Sequence, residues 1–201
     1  RLPEYRDSQR EHRWQDEGKM RTLLDSTVLV LGAGHVGAAF GAMCRGLGSH
    51  TIGVKRHVSG PVEGFDQVCP LEELDSLLPR ADVVALTLPH TPQTVGLMDA
   101  RRIALMKEDA ILISAGRGSV LDQEALARAM QGGKLWGAAL DVTVPEPLPA
   151  DSPLWDIPNL LLTPHVAGGM RLEVTRRTCI QMAQDNLRRY LAGEPLVNRV
   201  R

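Results

Sequence analysis

Arg117, Glu146 and His165 are the residues of this 201-residue chain whose types and settings suit them to chemistry on a small carboxylate. Arg117 lies in Ser114-Ala115-Gly116-Arg117-Gly118-Ser119. A guanidinium flanked by glycines stands clear of its neighbours and can grip a carboxylate through two parallel bonds. His165 closes the run Thr163-Pro164-His165. An imidazole titrates at about pH 6.5, so it can donate a proton in a reduction and accept one in an oxidation. A lone histidine is more often structural, but Glu146, stiffened by Pro145 and Pro147, offers a carboxylate that could orient and tune the ring. A second constellation is Gly32-Ala33-Gly34-His35-Val36-Gly37, a G-x-G-x-x-G loop suited to a dinucleotide pyrophosphate. Hydride transfer to or from a carbonyl needs a grip on the substrate, a proton donor and a nicotinamide over the carbon. The three side chains and the loop together answer those needs.

Arg117, His165 and the glycine loop each follow an expected strand, and Glu146 lies in the Pro-rich loop 144–158. Residues 28–31 form an apolar run that reads as a buried parallel strand leading into the glycine loop. In that context Gly32 permits the tight turn, Gly34 lets the pyrophosphate approach the backbone, and Gly37 lets the following helix pack closely. The helix, expected over 38–47, turns its free N–H groups and positive dipole end to the phosphates. Further strands are expected at 50–54, 81–88, 109–114, 135–140 and 159–162, with one short strand within 60–70. Helical turns are expected at 71–78, 99–106 and 122–130, and a long amphipathic helix at 171–191. This alternation indicates an α/β fold, a doubly wound parallel sheet covered on both faces. Arg117, Asp141 and His165 then fall at the C-terminal edge, where open sheets of this kind bind ligands.

At the same edge Pro89 breaks the strand 81–88, and Thr94 could cap the loop or touch phosphate. His90 reads as a loop residue. Asp141 could accept from the nicotinamide carboxamide or simply cap its strand. Lys55 and Arg56 lie 18 and 19 positions beyond Gly37. An acid is expected about 20 residues past the loop when the ribose carries a free 2′-hydroxyl. The basic pair leans instead towards a 2′-phosphate, and so towards NADP over NAD.

Composition narrows the partners. A net charge of −1 argues against a general nucleic-acid or anionic-membrane surface, and no apolar run approaches the roughly 18 residues of a membrane span. The opening residues are too charged for a secretory signal. Cys44, Cys69 and Cys179 form no CxxC, so neither a disulfide framework nor a metal site is expected, and a cytoplasmic setting fits best. Residues 1–21 carry six basic and five acidic side chains and read as a solvated helical arm, with Trp14 a possible anchor on a partner subunit.

The runs GAGHVG, SAGRGSVLD, GAALDVTVPEPLP and NLLLTPHVAGG, in this order, resemble the D-isomer-specific 2-hydroxyacid dehydrogenase family over roughly residues 23–198. The resemblance implies that Arg117 binds the substrate carboxylate and carbonyl, that His165 is the acid/base and that Glu146 orients it. It also implies that Asp141 meets the nicotinamide and that His35 and Val36 give backbone N–H groups to the pyrophosphate. Ser114 stands where such proteins often have Asn, His35 replaces a common Arg, and Lys55 replaces the Asp of NAD users.

The expected activity is hydride transfer between NADP(H) or NAD(H) and a small 2-keto or D-2-hydroxy acid, by a homodimer. The alternative is a cofactor-sensing, non-enzymatic interaction protein of the corepressor type. Family members have two lobes. Residues 1–22 are read as the connection from a substrate lobe that is largely absent, 23–169 as the dinucleotide-binding domain, and 170–201 as the helix returning to that lobe. These residues alone are therefore expected to bind cofactor and turn over poorly.

Overall fold

Alternate side chains of the first strand enter different apolar layers, and this organises the architecture. In the computed structural model, which describes residues 1–170 and 172–199, Thr27–Leu31 forms β1. Leu29 and Leu31 enter one buried cluster with Ile52, Leu86, Leu112 and Leu140. Val28 and Val30 enter another with Cys44, Phe65 and Ala85. A strand buried on both faces is what a parallel sheet with covering helices requires.

The remaining strands are β2 (His50–Lys55), β3 (Gln67–Pro70), β4 (Val83–Leu86), β5 (Ile111–Ser114), β6 (Gly137–Leu140) and β7 (Leu160–Leu162). All pairings are parallel, in the order β3-β2-β1-β4-β5-β6-β7. The order reverses between β1 and β4, which opens a crevice beyond their C-terminal ends. Helices α1 (Leu2–Arg10), α2 (His35–Gly46), α3 (Leu74–Leu77), α4 (Ala100–Leu105), α5 (Gln123–Gln131) and α6 (Glu173–Leu191) complete the chain. Asp99 and Asp122 cap α4 and α5, accepting from the Arg102 and Ala125 N–H groups.

The expected doubly wound parallel sheet is thus observed, with shifted boundaries. Helix α2 begins at His35 and not at 38, so the last three residues of the glycine loop are its first turn. Strand β4 ends at Leu86, and the next residue, Thr87, donates its hydroxyl to the Gly32 carbonyl. The arm is neither helical throughout nor wholly solvated. Its helix stops at Arg10, Ser8 is buried and donates to Glu17, and the Arg1 and Arg21 guanidiniums both lie over the Trp136 ring. The expected helix 171–191 is described from Glu173, and Arg171 lies outside the described residues.

The chain forms two compact units, Arg1–Pro164 and a second beginning at His165. Among the described residues, no helix is long and apolar enough to cross a membrane.

Candidate cofactor and substrate site

Gly32 leaves β1 with φ +112, a conformation that disfavours side chains, and a Cβ there would lie 2.9 Å from Thr87 Oγ1. Thr87 donates to the Gly32 carbonyl at 2.9 Å, fixing the turn from the neighbouring strand. At Gly37 a Cβ would lie 2.1 Å from the Gly32 carbonyl oxygen, so only glycine lets α2 start this close to β1. Gly34 differs from both. It is the N-terminal cap residue of α2, has no side-chain cap bond, and a Cβ there would meet nothing within 4 Å.

The first intrahelical bond of α2 runs from Ala38 N–H to the Gly34 carbonyl. The N–H groups of His35, Val36 and Gly37 therefore precede the helical ladder and point out of its positive end. No acid lies in that first turn. Beside it, a cavity of about 190 Å³ is lined by Gly32, Val54, Lys55, Arg56, Pro89 and Thr94, among others. Five of the residues expected to hold cofactor are thus brought to one cavity. An open backbone at Gly34, N–H groups that precede the helical ladder and a cavity edged by two cations fit a dinucleotide with an added phosphate.

The Pro89–Thr94 loop is held by its own groups. Thr94 is 8% exposed, its hydroxyl donates to the Pro89 carbonyl at 2.6 Å, and it accepts from the Thr91 N–H at 2.9 Å. His90 is absent from the cavity lining, and its Nδ1 lies 2.7 Å from Ser119 Oγ. It joins this loop to the one that carries Arg117.

Arg117 is exposed between two buried glycines and donates to the Gly116 carbonyl at 2.8 Å. A Cβ at Gly116 would lie 2.5 Å from the Leu88 carbonyl oxygen, and one at Gly118 would lie 2.4 Å from that of Thr143. The two glycines thus press the arginine's loop against β4's exit on one side and the Glu146 loop on the other. Glu146 is exposed, and its Oε1 accepts from the Thr143 N–H at 3.0 Å. Gln123, the first residue of α5, clasps the same loop: it donates to the Val144 carbonyl at 2.7 Å and accepts from the Val144 N–H at 3.1 Å.

Asp141 is buried at the end of β6, and its Oδ1 accepts from the Thr163 hydroxyl at 2.6 Å. His165 opens the second unit, exposed, with φ +51. Few non-glycine residues adopt that backbone. Thr87, Ser119, Gln123 and Thr163 act through contacts with distant segments, for which a single sequence carries no periodic signal, whereas Thr143 bonds Pro145 and Glu146 in its own loop.

Comparison with known proteins bears on the family and the fold. The family described as D-isomer specific 2-hydroxyacid dehydrogenase, NAD binding domain, matches residues 1–167. Glyoxylate/hydroxypyruvate reductase B of Pectobacterium carotovorum is 39% identical over 171 residues, which cover 84% of this chain and 52% of that protein. D-3-phosphoglycerate dehydrogenase of Mycobacterium tuberculosis is 36% identical over 188 residues, 93% of this chain and 35% of that protein. A crystal structure of a D-isomer specific 2-hydroxyacid dehydrogenase from Xanthobacter autotrophicus, in complex with NADPH and MES, superposes with a TM-score of 0.86 at 38% identity. That match covers 100% of this chain and 80% of the other. The chain spans about half the length of the first curated relatives it matches, 57% and 52%.

Proposed function

The chain belongs to the D-isomer-specific 2-hydroxyacid dehydrogenase family through its NAD-binding domain, and from that premise we propose that the protein transfers a hydride between a nicotinamide cofactor and a 2-keto or D-2-hydroxy acid. The observation that carries this reading is the abutment of the Arg117 and Glu146 loops, at Gly118 and Thr143, on the sheet edge that also carries the Gly32 turn.

Arg117 pairs with the substrate carboxylate and holds its carbonyl oxygen, polarising the C=O bond. His165 gives its proton to that oxygen in reduction and recovers it in oxidation. Glu146 accepts from the other ring nitrogen and keeps the imidazole in register. The positive φ of His165 is the kind of backbone outlier that clusters at working sites. Gly34, with the N–H groups of His35 and Val36, receives the pyrophosphate, and Asp141 receives the carboxamide. When bound, the cofactor supplies the hydride to the carbonyl carbon.

NADP(H) is the favoured form, because Lys55 and Arg56 border the cavity beside Gly32. Helices α1 and α6 serve as the two connections to a substrate lobe; large apolar side chains such as Ile180, Leu187 and Tyr190 stand exposed on α6. The protein works in the cytoplasm as a homodimer, for which exposed Met43 on α2 and Leu47 just beyond it, together with Trp14, offer apolar surface. A monomeric mass in solution would count against that assembly. The relatives named above are enzymes, and the non-enzymatic alternative has no support among them.

The test is oxidation of NADPH and NADH by the complete gene product with glyoxylate, hydroxypyruvate and pyruvate. Turnover with at least one of these acids, faster with NADPH, is expected. Tight cofactor binding with no turnover of any 2-keto acid would return the reading to a cofactor sensor.

A further inference from the structure

The segment that carries Glu146 is short of backbone donors. Pro145 and Pro147 have no N–H, so between Val144 and Pro147 only Val144 and Glu146 can offer one. Such a segment cannot build a strand ladder or a helical turn to hold itself. Yet a carboxylate that must meet an imidazole needs to be placed to within a fraction of an ångström.

The missing pairing comes from one side chain. The Gln123 carboxamide donates to the Val144 carbonyl at 2.7 Å and accepts from the Val144 N–H at 3.1 Å, as a partner strand would. Its base is firm: Asp122 caps α5, the Asp122 N–H bonds the Met98 carbonyl, and Ala125, Leu126, Ala127 and Met130 are buried. On the other side of the clasp, the Thr143 N–H donates to Glu146 Oε1 at 3.0 Å and the Thr143 hydroxyl donates to the Pro145 carbonyl at 3.0 Å. Thr143 also presents its carbonyl to Gly118, next to Arg117. A single line of contacts therefore runs from a buried helix, through Gln123, to the backbone that carries Glu146.

We propose that Gln123 is a positioning residue for the reaction: its two-way bond to Val144 fixes the Glu146 carboxylate relative to Arg117. This rests on Glu146 acting as the partner of the acid/base. Without the clasp the proline-bounded segment drifts, and the carboxylate loses its register with the imidazole, while the cofactor cavity, which Gln123 does not line, is untouched.

The experiment compares Gln123→Ala, Glu146→Gln and the double variant in the complete gene product, measuring kcat, KM for the keto acid and cofactor Kd. Misplacement on the scale of 1 Å predicts that Gln123→Ala lowers kcat about 10- to 100-fold, with cofactor Kd unchanged. Gln123→Glu keeps an acceptor for the Val144 N–H but loses the donor, and is expected to fall between; it replaces the alanine variant should that one not fold. In the Glu146→Gln background, Gln123→Ala should add little further loss, since the group it positions is already gone. Wild-type kcat for Gln123→Ala, or a full additive loss in the double variant, would overturn the inference. If Glu146→Gln itself turns over normally, the reading of Glu146 fails instead, and the two failures are told apart.

Discussion

Gly37 and Gly32 are so close that a Cβ on the first would lie 2.1 Å from the carbonyl oxygen of the second. Gly34, between them, faces open space. Glycines of one motif therefore have opposite reasons to be glycine, and variants separate them. Gly37→Ala must push α2 away from β1 and is expected to cost about 1–3 kcal/mol of stability. Gly34→Ala is expected to leave thermal unfolding within about 1 kcal/mol of wild type while weakening cofactor binding at least about tenfold, since its methyl occupies the pyrophosphate's approach. Differential scanning calorimetry and a cofactor titration read the two effects. Equal loss of stability in both variants would contradict the assignment.

Lys55 ends β2 and, with Arg56, borders the same cavity as Gly32. Replacing Lys55 by Asp removes one positive charge and adds a negative one where a 2′-phosphate would lie. NADPH affinity is expected to fall by about tenfold or more, about 1.4 kcal/mol, with NADH affinity equal or improved. Parallel titrations measure the ratio. A preference that does not move would place the adenosine ribose elsewhere.

Asp82 holds the opposite edge of the sheet. Its carboxylate accepts from the Thr27 N–H and the Lys107 ammonium, each at 2.8 Å. Burial pushes its pKa up, but the bonds from Lys107 and Thr27 outweigh that and hold it below the usual carboxylate range. A depressed folded value stabilises the fold at pH above the unfolded value of about 3.9, and the gain is lost as pH falls through the folded value. Asp82→Asn is therefore expected to cost about 1–2 kcal/mol at pH 7, with the gap to wild type closing below about pH 3.9. Denaturant unfolding across pH checks this. A gap that persists undiminished at the lowest pH would refute it.

Ser114 is 1% exposed, and among the described residues its hydroxyl has no hydrogen-bond partner. A hydroxyl buried without a partner contributes a desolvation penalty and no bond. Ser114→Ala is expected to be neutral or to stabilise by up to about 1 kcal/mol. Clear destabilisation in a thermal melt would mean that the hydroxyl is bonded in solution.

Much of this arrangement could be read from the sequence because it is local. The run Val28–Leu31 into Gly32 carries a buried strand and its turn within a few residues, and the helices expected from 99 and 122 begin one residue later, at Ala100 and Gln123. The sequence puts the start of α2 too late because a glycine at position 37 reads as loop. Here it is helical, so that the helix can approach the Gly32 carbonyl. The arm reads as helical throughout because its charges alternate at helical spacing, whereas His12, at φ +53, lies just past the end of α1 at Arg10. Gln123 and Thr87 gave no signal at all. Each acts on a segment 21 and 55 residues away, respectively, and only the folded chain brings those partners together.

The account depends most on His165 serving as the proton donor beside Arg117 and Glu146. Turnover of a 2-keto acid by His165→Gln in the complete gene product, at saturating cofactor, tests it directly. Loss of general acid catalysis predicts a fall in kcat of about 10²- to 10⁴-fold with cofactor affinity retained. Turnover equal to that of the unaltered protein would contradict the account.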